Sequence, residues 1–207
     1  LAGPPAGGTF SGNGVTGSNF DPSGGTSTIT YSFTSPQGCS NTANATITVN
    51  PLPIIQAGVD QSVCVGTPVT LNGSGGTAYV WTNGVTNGSP FSPGVGSVTY
   101  TVTGTDVNGC VNQDQVVVNV LPVPSAVVSS DVTSGETPLV VNFTNASTNA
   151  TNYVWDFGNG QGQTTTNLNG TNTTYTIAGT YNITLTASNG ICSNVDNLTI
   201  IAIQPAP

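Results

Sequence analysis

The 207-residue chain contains no Lys, Arg or His, and its seven Asp and single Glu give a net charge of −8. That inventory removes side-chain salt bridges, imidazole bases, Schiff-base amines and arginine clamps, so serine triads, P-loops and histidine metal sites are excluded. Nucleic-acid binding loses its main electrostatic term and an acidic surface repels anionic lipid, so the expectation is no enzyme, no nucleic-acid partner and no membrane insertion.

Hydrophobic residues make up 36% of the chain and charged residues only 4%, which is not the composition of a disordered segment. Thr, Asn, Ser, Gly and Val dominate and suit half-buried strands joined by tight turns. No window reads as an amphipathic helix, no apolar run is long enough to span a bilayer, and no signal peptide opens the chain. The abrupt start at Leu1 and the Gln204-Pro205-Ala206-Pro207 end lead us to expect a piece of something longer. The lack of Lys and Arg also removes every trypsin-type cleavage site, which suits an exposed extracellular object.

In chain order, Ile29, Tyr31 and Phe33 alternate with polar residues, and Gly38-Cys39 precedes Ala45-Thr46-Ile47-Thr48-Val49-Asn50-Pro51. Tyr79-Val80-Trp81 and the alternating Tyr100 and Val102 follow, then Gly109-Cys110 ahead of Val116-Val117-Val118-Asn119-Val120-Leu121-Pro122. Last come Tyr153-Val154-Trp155, the alternating Tyr181, Ile183, Leu185 and Ala187, and Ile191-Cys192 before Asn197-Leu198-Thr199-Ile200-Ile201. Period-two patterns of this kind set one face on a core and the other in water. The closing cysteines are 71 and then 82 residues apart, a spacing that predicts tandem β-sandwiches. Trp81, Trp155, Tyr100 and Tyr181 are the expected core anchors. Pro51, Pro53, Pro122 and Pro124 form short, semi-rigid seams that would set the angle between domains.

Cys64 and Cys110 bracket the second repeat, and we expect a disulfide between them in an oxidising compartment. Closing that 46-residue loop is worth about 4 kcal/mol on the chain-entropy model. Cys39 has no cysteine upstream and Cys192 none within its own repeat. The mate of Cys39 would precede Leu1, and that of Cys192 would sit near Gly135-Glu136-Thr137, where this chain has no cysteine. Both are candidates for a free or intermolecular thiol.

The third repeat carries Pro138-Leu139-Val140-Val141-Asn142-Phe143, then Trp155-Asp156-Phe157-Gly158-Asn159-Gly160, then Gly179-Thr180-Tyr181-Asn182-Ile183-Thr184-Leu185. It resembles a PKD domain, with Asn159 where the family motif has Asp. The first two repeats, through Ala6-Gly7-Gly8-Thr9-Phe10-Ser11-Gly12 and Val63-Cys64-Val65-Gly66 with Asn108-Gly109-Cys110, resemble Ig-like repeats of Bacteroidota surface proteins. The resemblance implies an all-β array of tandem Ig-like and PKD β-sandwiches: residues 1–50, N-terminally truncated; 51–122, with the disulfide; and 123–207, PKD-like. It further implies a stalk segment of a giant adhesin or filament exported by the type IX route, extracellular and on the cell surface. Its partners would be neighbouring repeats of the same long chain, a homo-oligomeric bundle and, through another region, an external surface or cell. The alternative is a non-catalytic carbohydrate-binding accessory module of a secreted enzyme.

Calcium is the one cofactor that the residues leave open. Asp60 and Asp131 near the seams and Asp106 on a tip turn are the candidates, without a D-x-D-x-D loop to gather them. Asp156 is expected instead to fix the turn after its strand. Paired carboxylates for glycoside hydrolysis find no bracketed cleft. Strand edges without lysine guards leave side-by-side association open.

Overall fold

The computed structural model describes residues 1–206; Pro207, the last residue of the third expected domain, lies outside them. The first 50 residues supply β1 (Thr9–Ser11), β2 (Val15–Thr16), β3 (Asn19–Phe20), β4 (Ser27–Thr34) and β5 (Ser40–Ile47). β6 (Gln61–Cys64), β7 (Val69–Thr70), β8 (Ala78–Trp81), β9 (Pro90–Phe91), β10 (Gly96–Thr105) and β11 (Val111–Leu121) follow. The rest of the chain forms β12 (Val128–Ser130), β13 (Ser134–Glu136), β14 (Leu139–Asn145), β15 (Asn152–Asp156), β16 (Gly162–Thr165), β17 (Thr171–Tyr175), β18 (Gly179–Ser188) and β19 (Ser193–Ile203).

The sheets run β1-β4-β5 with a small β2-β3 hairpin, then β6-β11-β10-β8 with a β7-β9 pair, then β13-β19-β18-β15-β16 facing β12-β14-β17. The chain is thus all-β and built from tandem β-sandwich domains. Contacts gather it into two compact units, residues 1–56 with 73–80 and 102–114, and residues 57–72 with 81–101 and 115–207.

Sequence alternation becomes burial alternation. Along β11, Val116, Val118 and Val120 are buried while Val117 and Asn119 between them are only partly covered. On β18, Ile183, Leu185 and Ala187 are wholly buried, and Ile200 and Ala202 of β19 join them. These side chains meet Val141 and Phe143 of β14 and Tyr153 and Trp155 of β15 in one core. Phe143, Trp155 and Phe157 form its aromatic centre, with ring centroids 5.7–6.1 Å apart. The Trp155 indole N–H has no hydrogen-bond partner. Trp81 differs, donating its indole N–H to Asn87 Oδ1 at 2.9 Å.

Two short strands pair in parallel with the outer edge of a closing strand. Gln61–Cys64 lie opposite Val118–Leu121, and Ser134–Glu136 lie opposite Ile201–Ile203. The turn after β15 shows why its motif has this form. Asp156 Oδ1 accepts the Gly158 N–H at 2.9 Å, and Asn159 Oδ1 accepts the Gln161 N–H at 3.0 Å. Gly158 has φ +71°, and a Cβ there would stand 2.7 Å from the Asn182 carbonyl oxygen, so only glycine fits. Asn159 fills its turn role without a charge.

Truncating Trp155 to Ala removes the middle of the aromatic centre and should cost about 3–5 kcal/mol, read as a lowered urea midpoint by far-UV circular dichroism. Tyr175 is buried, donates its hydroxyl to the Phe157 carbonyl at 2.9 Å, and is pushed up to about 12 by burial first and by nearby Tyr181 and Asp156 second. The unfolded phenol ionises near 10, so this contribution to stability is intact below about pH 10 and is lost as pH climbs towards 12. Denaturant midpoints measured from pH 9 upwards should fall across that window and fall less in Tyr175→Phe.

Candidate functional site

Three turns of the chain are built alike, and each presents a cysteine. In the first, Ser35 N–H donates to the Cys39 carbonyl at 2.8 Å and Cys39 N–H donates to Ser35 Oγ at 3.2 Å. In the second, Asp106 N–H donates to the Cys110 carbonyl at 3.0 Å, while Asp106 Oδ1 accepts from Asn108 and Cys110, both at 2.8 Å. In the third, Asn189 N–H donates to the Cys192 carbonyl at 3.0 Å and Asn189 Oδ1 accepts the Cys192 N–H at 2.9 Å. A short polar side chain before a glycine closes each loop, the usual device of an Asx or Ser turn.

The third turn is tied to the rest of its compact unit. Cys192 is buried and bonded to Cys64, with the two Cα atoms 5.6 Å apart and 128 residues between them in sequence. Asn189 Nδ2 donates to the Pro122 carbonyl at 2.9 Å and to the Asn149 carbonyl at 3.4 Å. Cys192 Sγ lies 3.9 Å from the Leu121 carbonyl oxygen, which also accepts the Val65 N–H at 2.9 Å. Below the seam, Asp196 Oδ2 accepts the Val128 N–H at 2.9 Å and Ser147 Oγ accepts the Val127 N–H at 3.0 Å. Ser125 and Thr148 exchange both backbone bonds. Residues 121, 122, 125, 127 and 128 are therefore each fastened by a hydrogen bond.

This corrects the expected Cys64–Cys110 bridge. Cys64 sits beside Leu121 at the far end of β11, whereas Cys110 immediately precedes Val111 at its near end. Eleven extended residues, roughly 35 Å, separate those positions, and a disulfide needs Cα atoms within about 7 Å. Cys110 is a half-buried free thiol and Cys39 an exposed one. Cys192, expected as a free or intermolecular thiol, is spent in the bridge.

The other expected residues fall as follows. Trp81, Trp155 and Tyr100 are buried, and Tyr181 is half-buried against the core with its ring centroid 4.2 Å from that of Tyr175. Pro53 and Pro124 are buried, Pro122 half-buried and Pro51 exposed; the Pro53 carbonyl accepts from Asn112 Nδ2 at 2.9 Å. Asp60 Oδ1 accepts the Val117 N–H at 2.8 Å. Asp131 takes both the backbone and side-chain N–H of Asn142, at 2.9 and 2.7 Å, and those bonds, the side-chain one first, hold its carboxyl below the usual range. With Asp106 on its turn, the three calcium candidates serve separate backbone segments, and among the described residues no three Asp, Glu, Cys or His side chains converge on a metal position. Sequence reading missed Asn189 and Asp196. The available signal was a short polar residue ahead of each cysteine, four before Cys39 and Cys110 and three before Cys192.

Residues 119–201 match the family model described as PKD domain. The PKD1 domain of Vibrio anguillarum Epp is 27% identical over 40% of this chain and 96% of its own, with a TM-score of 0.33. The N-terminal eight Ig domains of Down Syndrome Cell Adhesion Molecule are 16% identical over 87% of this chain and 27% of theirs, at 0.55. Drosophila OTK extracellular domains 3–5 are 10% identical over 86% and 71%, at 0.51. No curated protein matches the chain. The PKD match and the Ig-domain likeness in fold support a PKD/Ig-like repeat protein.

Thiol titration of the denatured chain should find two free groups, Cys39 and Cys110, and four after reduction. Replacing Cys64 and Cys192 together by Ser should cost about 5 kcal/mol on the loop-closure model, measured by urea unfolding. Recovery of a Cys64–Cys110 peptide by non-reducing mass mapping would overturn the assignment.

Proposed function

We propose that this chain is a load-bearing stalk segment of a large extracellular bacterial surface filament or adhesin, exported by the type IX route. Attachment, in gliding or in contact with another cell, would be made by another region. Residues 1–50, 51–122 and 123–207 serve as successive links, their partners being neighbouring repeats of the same long chain. Exposed edges without lysine guards allow several such chains to bundle.

The observation that carries this reading is the seam. A bond spanning 128 residues joins β6 to the turn before β19, and Asn189 and Asp196 fasten the intervening segment. A junction held this way resists being pulled open. The disulfide supports an oxidising, extracellular setting, and no helix among the described residues is long and apolar enough to cross a membrane. The side-chain inventory supports a non-catalytic role. A carbohydrate-binding module would present stacked aromatic faces to its sugar. None of the 14 aromatic side chains here belongs to the exposed class, which disfavours that alternative.

Pulled from its two ends in a single-molecule force experiment, the oxidised chain should extend only through residues outside the 64–192 loop, about 280 Å at ~3.5 Å per residue. Reductant should release a further ~450 Å. Equal extension with and without reductant would remove the load-bearing reading, and retarded migration through polysaccharide gels would favour the accessory module.

A further inference from the structure

We propose that the outer edge of β5 receives a parallel β-strand of the Gln61–Cys64 type, and that a cysteine ending this strand bonds to Cys110. The proposal rests on the register of the three closing strands. An offset of 71 residues lays Cys39 on Cys110, Ile47 on Val118, Val49 on Val120 and Pro51 on Pro122; an offset of 82 lays Cys110 on Cys192 and Leu121 on Ile203. In two of the three cases a short parallel strand covers the outer edge, with Gln61–Cys64 on β11 and Ser134–Glu136 on β19. β5 is the last strand of its sheet, with no such partner. Its end shows the consequence. Residues 119–121, paired with β6, are strand, whereas residues 48–50 at the matching positions are not. The inward face is also left open, since Ala45, Ile47 and Val49 are exposed or half-exposed where Val116, Val118 and Val120 are buried. A groove of about 240 Å³ runs along this face, lined by Phe10, Ile29, Tyr31, Ala45 and Ile47 among others.

The two covering strands end differently, in Cys64 and in Glu136, and the free Cys110 near the seam after β5 selects the β6 type. On β6, Val63 lies opposite Val120 and Cys64 opposite Leu121, so the occupant has an apolar residue opposite Val49 and a cysteine opposite Asn50. Cys64 bonds the turn cysteine of the following repeat, Cys192. By the same rule, the cysteine opposite Asn50 bonds Cys110. The receiving side is already in place. Cys110 is free, sits in the same kind of turn as Cys192, and lies two residues before Asn112, whose Nδ2 holds the Pro53 carbonyl of the seam after β5 at 2.9 Å. At the bonded seam a different residue, Asn189 ahead of its cysteine, donates its side-chain amide to the Pro122 carbonyl.

Closing the bond from two thiols releases two protons and two electrons, which a small-molecule disulfide of the oxidising compartment accepts as it is reduced to two thiols. This inference does not depend on the chain bearing load.

The test uses the whole oxidised chain and a peptide copying residues 58–66, offered as its mixed disulfide with glutathione. The Cys110 thiolate attacks the peptide sulfur, the peptide–glutathione bond breaks, and glutathione leaves as a thiol. At equilibrium the adduct at Cys110 should exceed that at Cys39, and that formed by a scrambled peptide, by about tenfold, as strand pairing adds to a bond otherwise shared equally. Amide exchange at residues 47–50 should slow in the adduct. Equal adducts at Cys39 and Cys110 regardless of peptide order, an adduct at Cys192, or unprotected amides at 48–50 would each overturn the proposal.

Discussion

No side-chain cation answers the eight carboxylates, so the strands are held by backbone ladders and apolar faces, and the acids must find other donors. They find amides. Asp21 takes the Ser23 N–H, Asp60 that of Val117, Asp106 those of Asn108 and Cys110, Asp131 that of Asn142, Asp156 that of Gly158, and Asp196 those of Val128 and Asn197. Ser23, through its backbone N–H first, also holds the Asp21 carboxyl below its ordinary value. A carboxylate that accepts backbone N–H bonds is stabilised in its charged form without a counter-ion. This lets a uniformly negative protein place its charges at turns, strand ends and seams, where unpaired amides need acceptors.

The same economy shapes the seam. A short polar side chain closes each cysteine-bearing turn, and in the third turn its remaining N–H donor reaches out to a proline carbonyl. The turn thus has two jobs, one internal and one directed at the neighbouring segment. The parallel strand beside the closing strand adds a third element. It brings Cys64 to the end of β11, where Cys192 lies buried against it. Backbone pairing places the sulfur, and the covalent bond follows from that placement.

Much of this was legible from period-two alternation. The inward sets on β11, β18 and β19 and the paired tryptophan strands are visible because large β-branched and aromatic residues recur at every second position. The Asp156 turn was also legible, since Asp before Gly has few other uses. The cysteine pairing was not. Spacing finds the turns but cannot reveal which end of an 11-residue strand a four-residue parallel partner will occupy, and Gln61-Ser62-Val63-Cys64 is too short to show alternation. Once the register is known, the distance along β11 decides against Cys110. Asn189 was hidden for a related reason, because the acceptor of its amide lies 67 residues away in sequence.

On β19 the residue opposite Ile203, the position matching Leu121, is Glu136. Where β6 presents a sulfur, β13 presents an acid. A carboxylate cannot be oxidised into a crosslink, so this edge offers no counterpart of the bond that Cys64 makes.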